Sequence, residues 1–488
     1  MNFRLVAKYL GGLINIFTFS TFLSFAWSFW LKEQVMLNAF YGTWFVGFLL
    51  GAVLTLLGRR AKGEFFLKEG IAIVSLGWFF CAFIAAFPFY LSDIVPHFVD
   101  ALFESMSGLT TTGATILSEI DSLPKGFLFW RSFLQWVGGM GIIVLFVAIL
   151  PALGVGGKYL YRLEVPGVTK DGLKPKIQET ASILWKIYIV LSVLEVISLK
   201  LAGMNFFDSL CHTFTTMATG GFSNYNDSIA HFNSLTIEII ITLFMVLAGI
   251  NFTLHFFLWK GPRKVVWNNS ELKSYLLILF LATIFFVGFL VFQSHSASAS
   301  WKVGEAFRHA TFQAVSIMTT TGFVTDDFGI WPSSAQLIFI GLMFCGACAG
   351  STGGGLKVFR SMVCLKTVHL GILQFFRPRV VKAVRFGGDA ITDELLASIS
   401  VFFLLYISIF FICSLFMAFL GLDLITATSA VIACMGNVGP GLGEVGASHT
   451  YAFLPDSGKI LLTFCMLLGR LELYAVLAIF LPDFWKKT

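Results

Sequence analysis

The sequence predicts an all-α polytopic membrane protein. It has two extra N-terminal transmembrane helices plus four pseudo-symmetric helix–pore-helix–helix repeats around a central pore. Three observations carry this prediction. First, the chain of 488 residues is 57% hydrophobic and only 12% charged, about half the charged share of a soluble protein. Residues 9–31, 34–58, 70–92, 132–157, 239–259, 274–301, 328–356 and 395–422 lack Asp, Glu, Lys and Arg altogether. Each run reaches the roughly 20 helical residues that a bilayer core requires. Second, the stretch Ser107-Gly108-Leu109-Thr110-Thr111-Thr112-Gly113-Ala114-Thr115 has three degenerate echoes. These are Met217-Ala218-Thr219-Gly220-Gly221-Phe222-Ser223, Met318-Thr319-Thr320-Thr321-Gly322-Phe323-Val324 and Met435-Gly436-Asn437-Val438-Gly439-Pro440-Gly441. Aligned on Gly113, Gly221, Gly322 and Gly439, the intervals are 108, 101 and 117 residues, the mark of an internal repeat. Third, if the membrane passes alternate, the loops on the side of residues 1–8 hold 24 of the 33 Lys and Arg. The positive-inside rule makes that side cytoplasmic, with both termini inside. The net charge of +6 therefore reflects topology and gives no reason to expect nucleic acid as a partner.

In chain order, residues 1–69 read as a two-helix hairpin outside the repeat, because they carry no Thr/Gly turn. The repeats follow at 70–157, 158–260, 261–385 and 386–488. In the first, helix 70–92 leads to a short helix over 96–108, the turn, and a helix over 130–150 in which Gly138-Gly139-Met140-Gly141 permits close backbone approach. The second has helices at 182–204, 206–217 and 235–259. Glu195 lies in the first of these; an intramembrane carboxylate is a functional candidate, but no other repeat has a counterpart. It reads as tethered to Ser192 or Ser198, or as facing another helix. The third repeat has helices at 274–292 and 304–318, and then an apolar stretch 335–344. That stretch runs into a glycine-rich segment, Gly346-Ala347-Cys348-Ala349-Gly350-Ser351-Thr352-Gly353-Gly354-Gly355-Leu356-Lys357. Each helical glycine is unfavourable by about 1 kcal/mol relative to alanine, so the helix should open here and line a pathway, since freed backbone at membrane depth must be satisfied by protein or water. The fourth has helices at 395–421, 424–435 and 459–481, with Arg470 near the middle of the last.

The turns carry the chemistry. Glycine lets carbonyls point inward, threonine adds hydroxyl oxygens, and the short helices aim their negative ends at the space beneath. A ring of such carbonyls replaces the water shell of an alkali cation. The oxygen donors would come from Thr111, Thr112 and Gly113; Thr219, Gly220 and Gly221; Thr320, Thr321 and Gly322; and Asn437, Val438 and Gly439. The pattern favours potassium and rubidium over sodium and lithium, with selectivity tempered because Gly220 and Val438 break the Thr repetition. Cys345 and Cys348 form a CxxC, read as two small buried residues of a membrane helix. Gly350 to Lys357 fails as a phosphate loop, since no Ser or Thr follows the Lys and no strand precedes it. With no zinc spacing or nucleophile elbow, an enzyme reading has no residues to rest on. No cleavable signal pattern is expected at the N-terminus.

These motifs resemble the TrkH-type membrane subunits of bacterial Trk potassium-uptake systems, within the Trk/Ktr/HKT superfamily. The resemblance spans the chain and includes Trp136-Val137-Gly138-Gly139-Met140-Gly141, the run from Cys348 to Lys357, Asn437-Val438-Gly439-Pro440-Gly441-Leu442-Gly443, and Gly469-Arg470-Leu471-Glu472. It implies a homodimer in the bacterial inner membrane, with one pore per chain. It implies a gate made of Gly346, Gly350, Ser351, Thr352, Gly353, Gly354, Gly355 and Lys357, with Arg470 as an electrostatic barrier across the pore. It also implies a cytoplasmic ring of TrkA-type regulatory subunits that bind NAD or ATP/ADP, so this chain would bind no cofactor beyond the transported potassium. The basic inner loops are then docking surfaces for that regulator or ordinary inside charge against lipid headgroups. The alternatives are a symporter driven by H+ or Na+, for which Glu195 is the only obvious and a poorly placed acid, and a scaffold without transport.

Overall fold

The computed structural model describes residues 1–61, 66–139, 141, 177–294, 302–379, 383–387 and 389–486. Among them, six helices are long and apolar enough to cross a membrane, or seven if the bent pair Leu235–Ala248 and Phe252–Lys260 is one span. A two-residue antiparallel pair, Arg385–Phe386 with Asp389–Ala390, is a small exception to the all-α expectation. Large apolar side chains such as Phe45, Leu404, Leu415 and Phe419 are exposed on the spanning helices, as a lipid-facing surface requires.

At the N-terminus two helices pair into a hairpin. Phe3–Trp30 packs against Gln34–Leu57, and a Cβ on Gly11 would lie 2.6 Å from the Gly51 carbonyl oxygen. Small residues let these backbones close on each other. The hairpin also reaches the rest of the fold. Glu33 accepts from the amides of Lys125 (2.8 Å) and Gly126 (2.9 Å), placing a carboxylate at the positive end of the helix Lys125–Gly139.

Beyond the hairpin, long helices alternate with short ones. Leu67–Leu91, Ile177–Leu201, Ser270–Ser294 and Asp393–Phe419 each precede a short helix: Phe98–Leu109, Phe206–Met217, Val303–Met318 and Leu424–Met435. The 12 to 16 residues of these short helices are too few to span a bilayer. Their starts carry negative groups: Asp100, Asp208 and Glu305 lie in first turns, and Asp423 caps Ile425 and Thr426.

The helices after the turns depart from the expected single rods. Leu235–Ala248 meets Phe252–Lys260 at 96°, so the rod expected over 235–259 is broken at Gly249–Asn251. The rod expected over 459–481 is broken too: Asp456–Arg470 ends, Glu472 and Leu473 both take φ 57°, and Tyr474–Ile479 resumes. The opening expected in the third segment is present. Ser333–Cys345 stops at Gly346 (φ 66°), and regular helix resumes only at Val358–Phe376. The helix expected over 130–150 is described only as Lys125–Gly139; its remainder, Gly141 excepted, and most of the basic loop 156–180 lie outside the described residues.

Candidate ion pathway

Each short helix ends in the same way. Thr111, Thr219, Thr320 and Asn437 take φ of 54°, 53°, 61° and 53°, and Gly113, Gly221, Gly322 and Gly439 take 84°, 75°, 80° and 99°. Between them, the amides of Thr112, Gly220, Thr321 and Val438 donate to the carbonyls of Ser107, Thr215, Ser316 and Ala433 at 2.8–2.9 Å. The amides of Thr111, Thr219, Thr320 and Asn437 reach back three residues. These are Schellman endings. Left-handed geometry is unfavourable for threonine by about 1–2 kcal/mol per residue, and the two closing hydrogen bonds offset it.

The four turns close on one another in a cycle. A Cβ on Gly113 would strike the Gly220 carbonyl oxygen; on Gly221, that of Thr321; on Gly322, that of Val438; and on Gly439, that of Thr112 at 2.6 Å. The four glycines line one cavity of about 80 Å³, together with Ser223, Asn226 and Tyr451. Thus the twelve residues singled out from the sequence are brought together, and all of them but Gly113 and Gly221 are buried.

Side chains not foreseen from the sequence brace this ring. Arg131 Nε pairs with Glu104 at 2.6 Å, both buried. Arg131 also donates to the Ser223 carbonyl (2.9 Å) and stacks 3.6 Å over Phe222. Glu104 in turn accepts from Thr115 Oγ1 and the Ile116 amide, each at 3.1 Å. Gln135 Nε2 donates to the Gly220 carbonyl (2.7 Å), and Tyr451 donates its hydroxyl to that of Gly439 (2.8 Å). A carbonyl has two lone pairs, so both oxygens keep one. Asn437 Nδ2 donates to Thr112 Oγ1 (3.0 Å) and to the Met466 carbonyl (3.0 Å). The available sequence signal was a single Arg and a single Gln at the start of a long apolar run.

The glycine-rich segment packs directly against the ends of the short helices. Thr352 donates its hydroxyl to the carbonyls of Met217 (3.1 Å) and Ala248 (3.3 Å), and the Gly354 amide donates to Thr320 Oγ1 (2.8 Å). A Cβ on Gly353 would stand 2.9 Å from the Thr319 carbonyl oxygen, and one on Gly354 would strike that of Gly436. Lys357 is buried and turns back to the Gly353 carbonyl. Glu271 Oε1 accepts from Ala349 (2.7 Å) and Phe359 (3.2 Å). Arg470 joins three chain segments: Nη1 donates to the Thr352 carbonyl (2.7 Å), and Nη2 to those of Gly139 (2.8 Å) and Gly138. Glu472, two residues on, pairs instead with Arg360 at 2.6 Å.

Glu195 is fully buried beside Thr216 of the second short helix. The expected serine tethers are absent, because Ser192 and Ser198 donate to the carbonyls of Tyr188 and Leu194. Glu195 does not line the cavity at the turns. Cys345 and Cys348 are free thiols. Cys345 ends its helix and Cys348 lies in the non-helical segment beyond, which corrects the expectation of two residues within one helix.

A family model described as TrkH, cation transport protein, matches residues 36–487. The chain belongs to the TrkH family. The Trk system potassium uptake protein TrkH of Escherichia coli K12 is 40% identical over 491 residues, and that of Halomonas elongata is 39% identical over 497, with 100% of each chain covered in both cases. The crystal structure of the potassium transporter TrkH from Vibrio parahaemolyticus aligns with a TM-score of 0.88 at 36% identity, over 100% of both chains. As a TrkH-family member, this chain is a multi-pass membrane protein of cation transport and not an enzyme.

Proposed function

We propose that the chain takes up potassium, with rubidium as a close surrogate, across the bacterial inner membrane through a selectivity filter of backbone carbonyls. Four units, 70–157, 158–260, 261–385 and 386–488, surround one pore, and the hairpin 1–69 stands outside it. The observation that carries this reading is the cycle in which each turn glycine abuts a carbonyl of the next turn. Such an arrangement gives one cation oxygens from four sides in place of water. The full-length likeness to potassium uptake proteins supplies the ion.

Below the filter, the segment 346–355 with Lys357 and Arg470 forms the gate. Three short-helix ends converge on it, and their negative poles attract a cation; the two positive side chains oppose it there. Both termini are cytoplasmic, two chains associate, and a TrkA-type partner that binds NAD or ATP/ADP acts on the gate from the cytoplasmic side. The route is channel-like on this reading, because Glu195, the acid that the sequence offers for H+ coupling, does not line the cavity at the turns.

The test is radioactive rubidium uptake into proteoliposomes of purified chain, competed separately with potassium and sodium. Strong competition by potassium and weak competition by sodium is expected. Equal competition would overturn the filter assignment.

A further inference from the structure

The four turns differ at one telling position. The carbonyl that faces the preceding turn's glycine belongs to Thr112, Gly220, Thr321 or Val438. Three of these residues have a branched side chain that holds their own peptide. Thr112 Oγ1 meets Thr110 Oγ1 (2.8 Å) and Asn437 Nδ2 (3.0 Å), Thr321 Oγ1 meets Thr319 Oγ1 (2.8 Å), and Val438 is fully buried. Gly220 has none. Followed by Gly221, it would be the softest point of the ring, since glycine has the freest backbone.

We propose that Gln135 is the positioning residue that replaces the missing side chain and thereby sets ion discrimination at the second turn. This rests on the carbonyl-filter reading above. Gln135 is fully buried. Its amide brackets Gly221: Nε2 donates to the Gly220 carbonyl at 2.7 Å, and Oε1 accepts from the Phe222 amide at 3.1 Å. The Phe222 N–H can only donate, so the amide oxygen must face it and the NH2 is left for Gly220. A Cβ at position 220 would overlap this carboxamide, 2.5 Å from Oε1 and 2.8 Å from Nε2. The Gly220 backbone itself is outside the left-handed region, so it could carry a side chain. The three atoms nearest such a Cβ all belong to Gln135. Thus the sequence deviation at Gly220 and the polar residue at 135 are two halves of one substitution, in which a side chain from the neighbouring helix does the work of the local one.

The inference predicts mutual suppression. Full-length variants are reconstituted in proteoliposomes and rubidium uptake is competed with potassium and with sodium. Gln135→Ala should lower the potassium-over-sodium preference about fivefold, the factor carried by one net hydrogen bond. Gly220→Thr alone should impair uptake, because the new side chain meets the carboxamide. The double variant, which rebuilds the Thr-Thr-Gly of the first and third turns, should recover preference towards wild type. Gln135→Met, similar in volume without an amide, should lose preference as Gln135→Ala does, and it replaces that variant if the truncation does not fold. Wild-type preference in Gln135→Met, or a double variant no better than either single one, would overturn the clamp. A wild-type protein that fails to prefer potassium would instead overturn the filter reading beneath it.

Discussion

Replacing Arg470 with alanine tests the proposed barrier most directly. The guanidinium lies 2.7 Å from the Thr352 carbonyl oxygen, so a cation reaching that oxygen would stand roughly 5 Å from the charge, where repulsion at an effective dielectric of 20 is about 3 kcal/mol. At about 1.4 kcal/mol per decade, that is roughly a hundredfold in occupancy of the site. The same side chain ties Thr352 to the carbonyls of Gly138 and Gly139, so alanine also frees the glycine-rich segment. Both effects act in the same direction. Basal rubidium flux into proteoliposomes without any regulator should rise at least tenfold in Arg470→Ala. Arg470→Lys separates the two contributions: it keeps the point charge but lacks the planar fork that reaches two segments at once. Flux near wild type in the lysine variant assigns the barrier to charge; flux near the alanine level assigns it to the tether. Unchanged or lower flux in folded Arg470→Ala protein would refute the barrier assignment altogether.

Gly439→Ala places a Cβ 2.6 Å from the Thr112 carbonyl oxygen, at φ +99°, so that carbonyl must retreat and potassium should lose its advantage over sodium in competition assays. Glu271→Ala removes the acceptor shared by the amides of Ala349 and Phe359; basal flux should rise several-fold as both ends of the glycine-rich segment loosen. Arg131→Ala leaves Glu104 buried without its partner, a change that typically destabilises by about 3–5 kcal/mol. A thermal melt should show the loss, and an unchanged melting temperature would mean that the pair contributes nothing to folding.

What the sequence disclosed follows from what has a period. Uncharged runs and the recurring Thr/Gly turns placed the spans, the short helices and all twelve turn residues, because each rests on local composition. The glycine-rich break at 346–357 was legible for the same reason. The breaks at Gly249–Asn251 and Glu472–Leu473 were not: one glycine or none marks them, and tertiary contacts impose them. The amide of Cys348 donates to the Gly249 carbonyl, and that of Phe252 to the Gly350 carbonyl, so the break at Gly249–Asn251 is stabilised by a segment a hundred residues away. The partners of Arg131, Gln135, Glu271 and Arg470 were hidden likewise. A lone polar residue in an apolar run shows that it needs a partner, and only the fold shows which.

The positions of these breaks bear on how the proposed gate could work. Among the described residues, the helices after the second, third and fourth turns are interrupted just below those turns, and the interruptions meet. The backbone groups freed at Gly249 and Gly350 pair with each other's segments, and Arg470, at the end of its own helix, takes the Thr352 carbonyl. Backbone at membrane depth must find partners, and here each break supplies them to another. To move, the glycine-rich segment must therefore release bonds to Gly249, Phe252, Thr320, Glu271 and Arg470 together. A segment held by so many partners does not fluctuate open at random. Under the proposed gating, the helix Val358–Phe376, which continues directly from it with Arg360 paired to Glu472, is the attached element through which the proposed cytoplasmic partner would act.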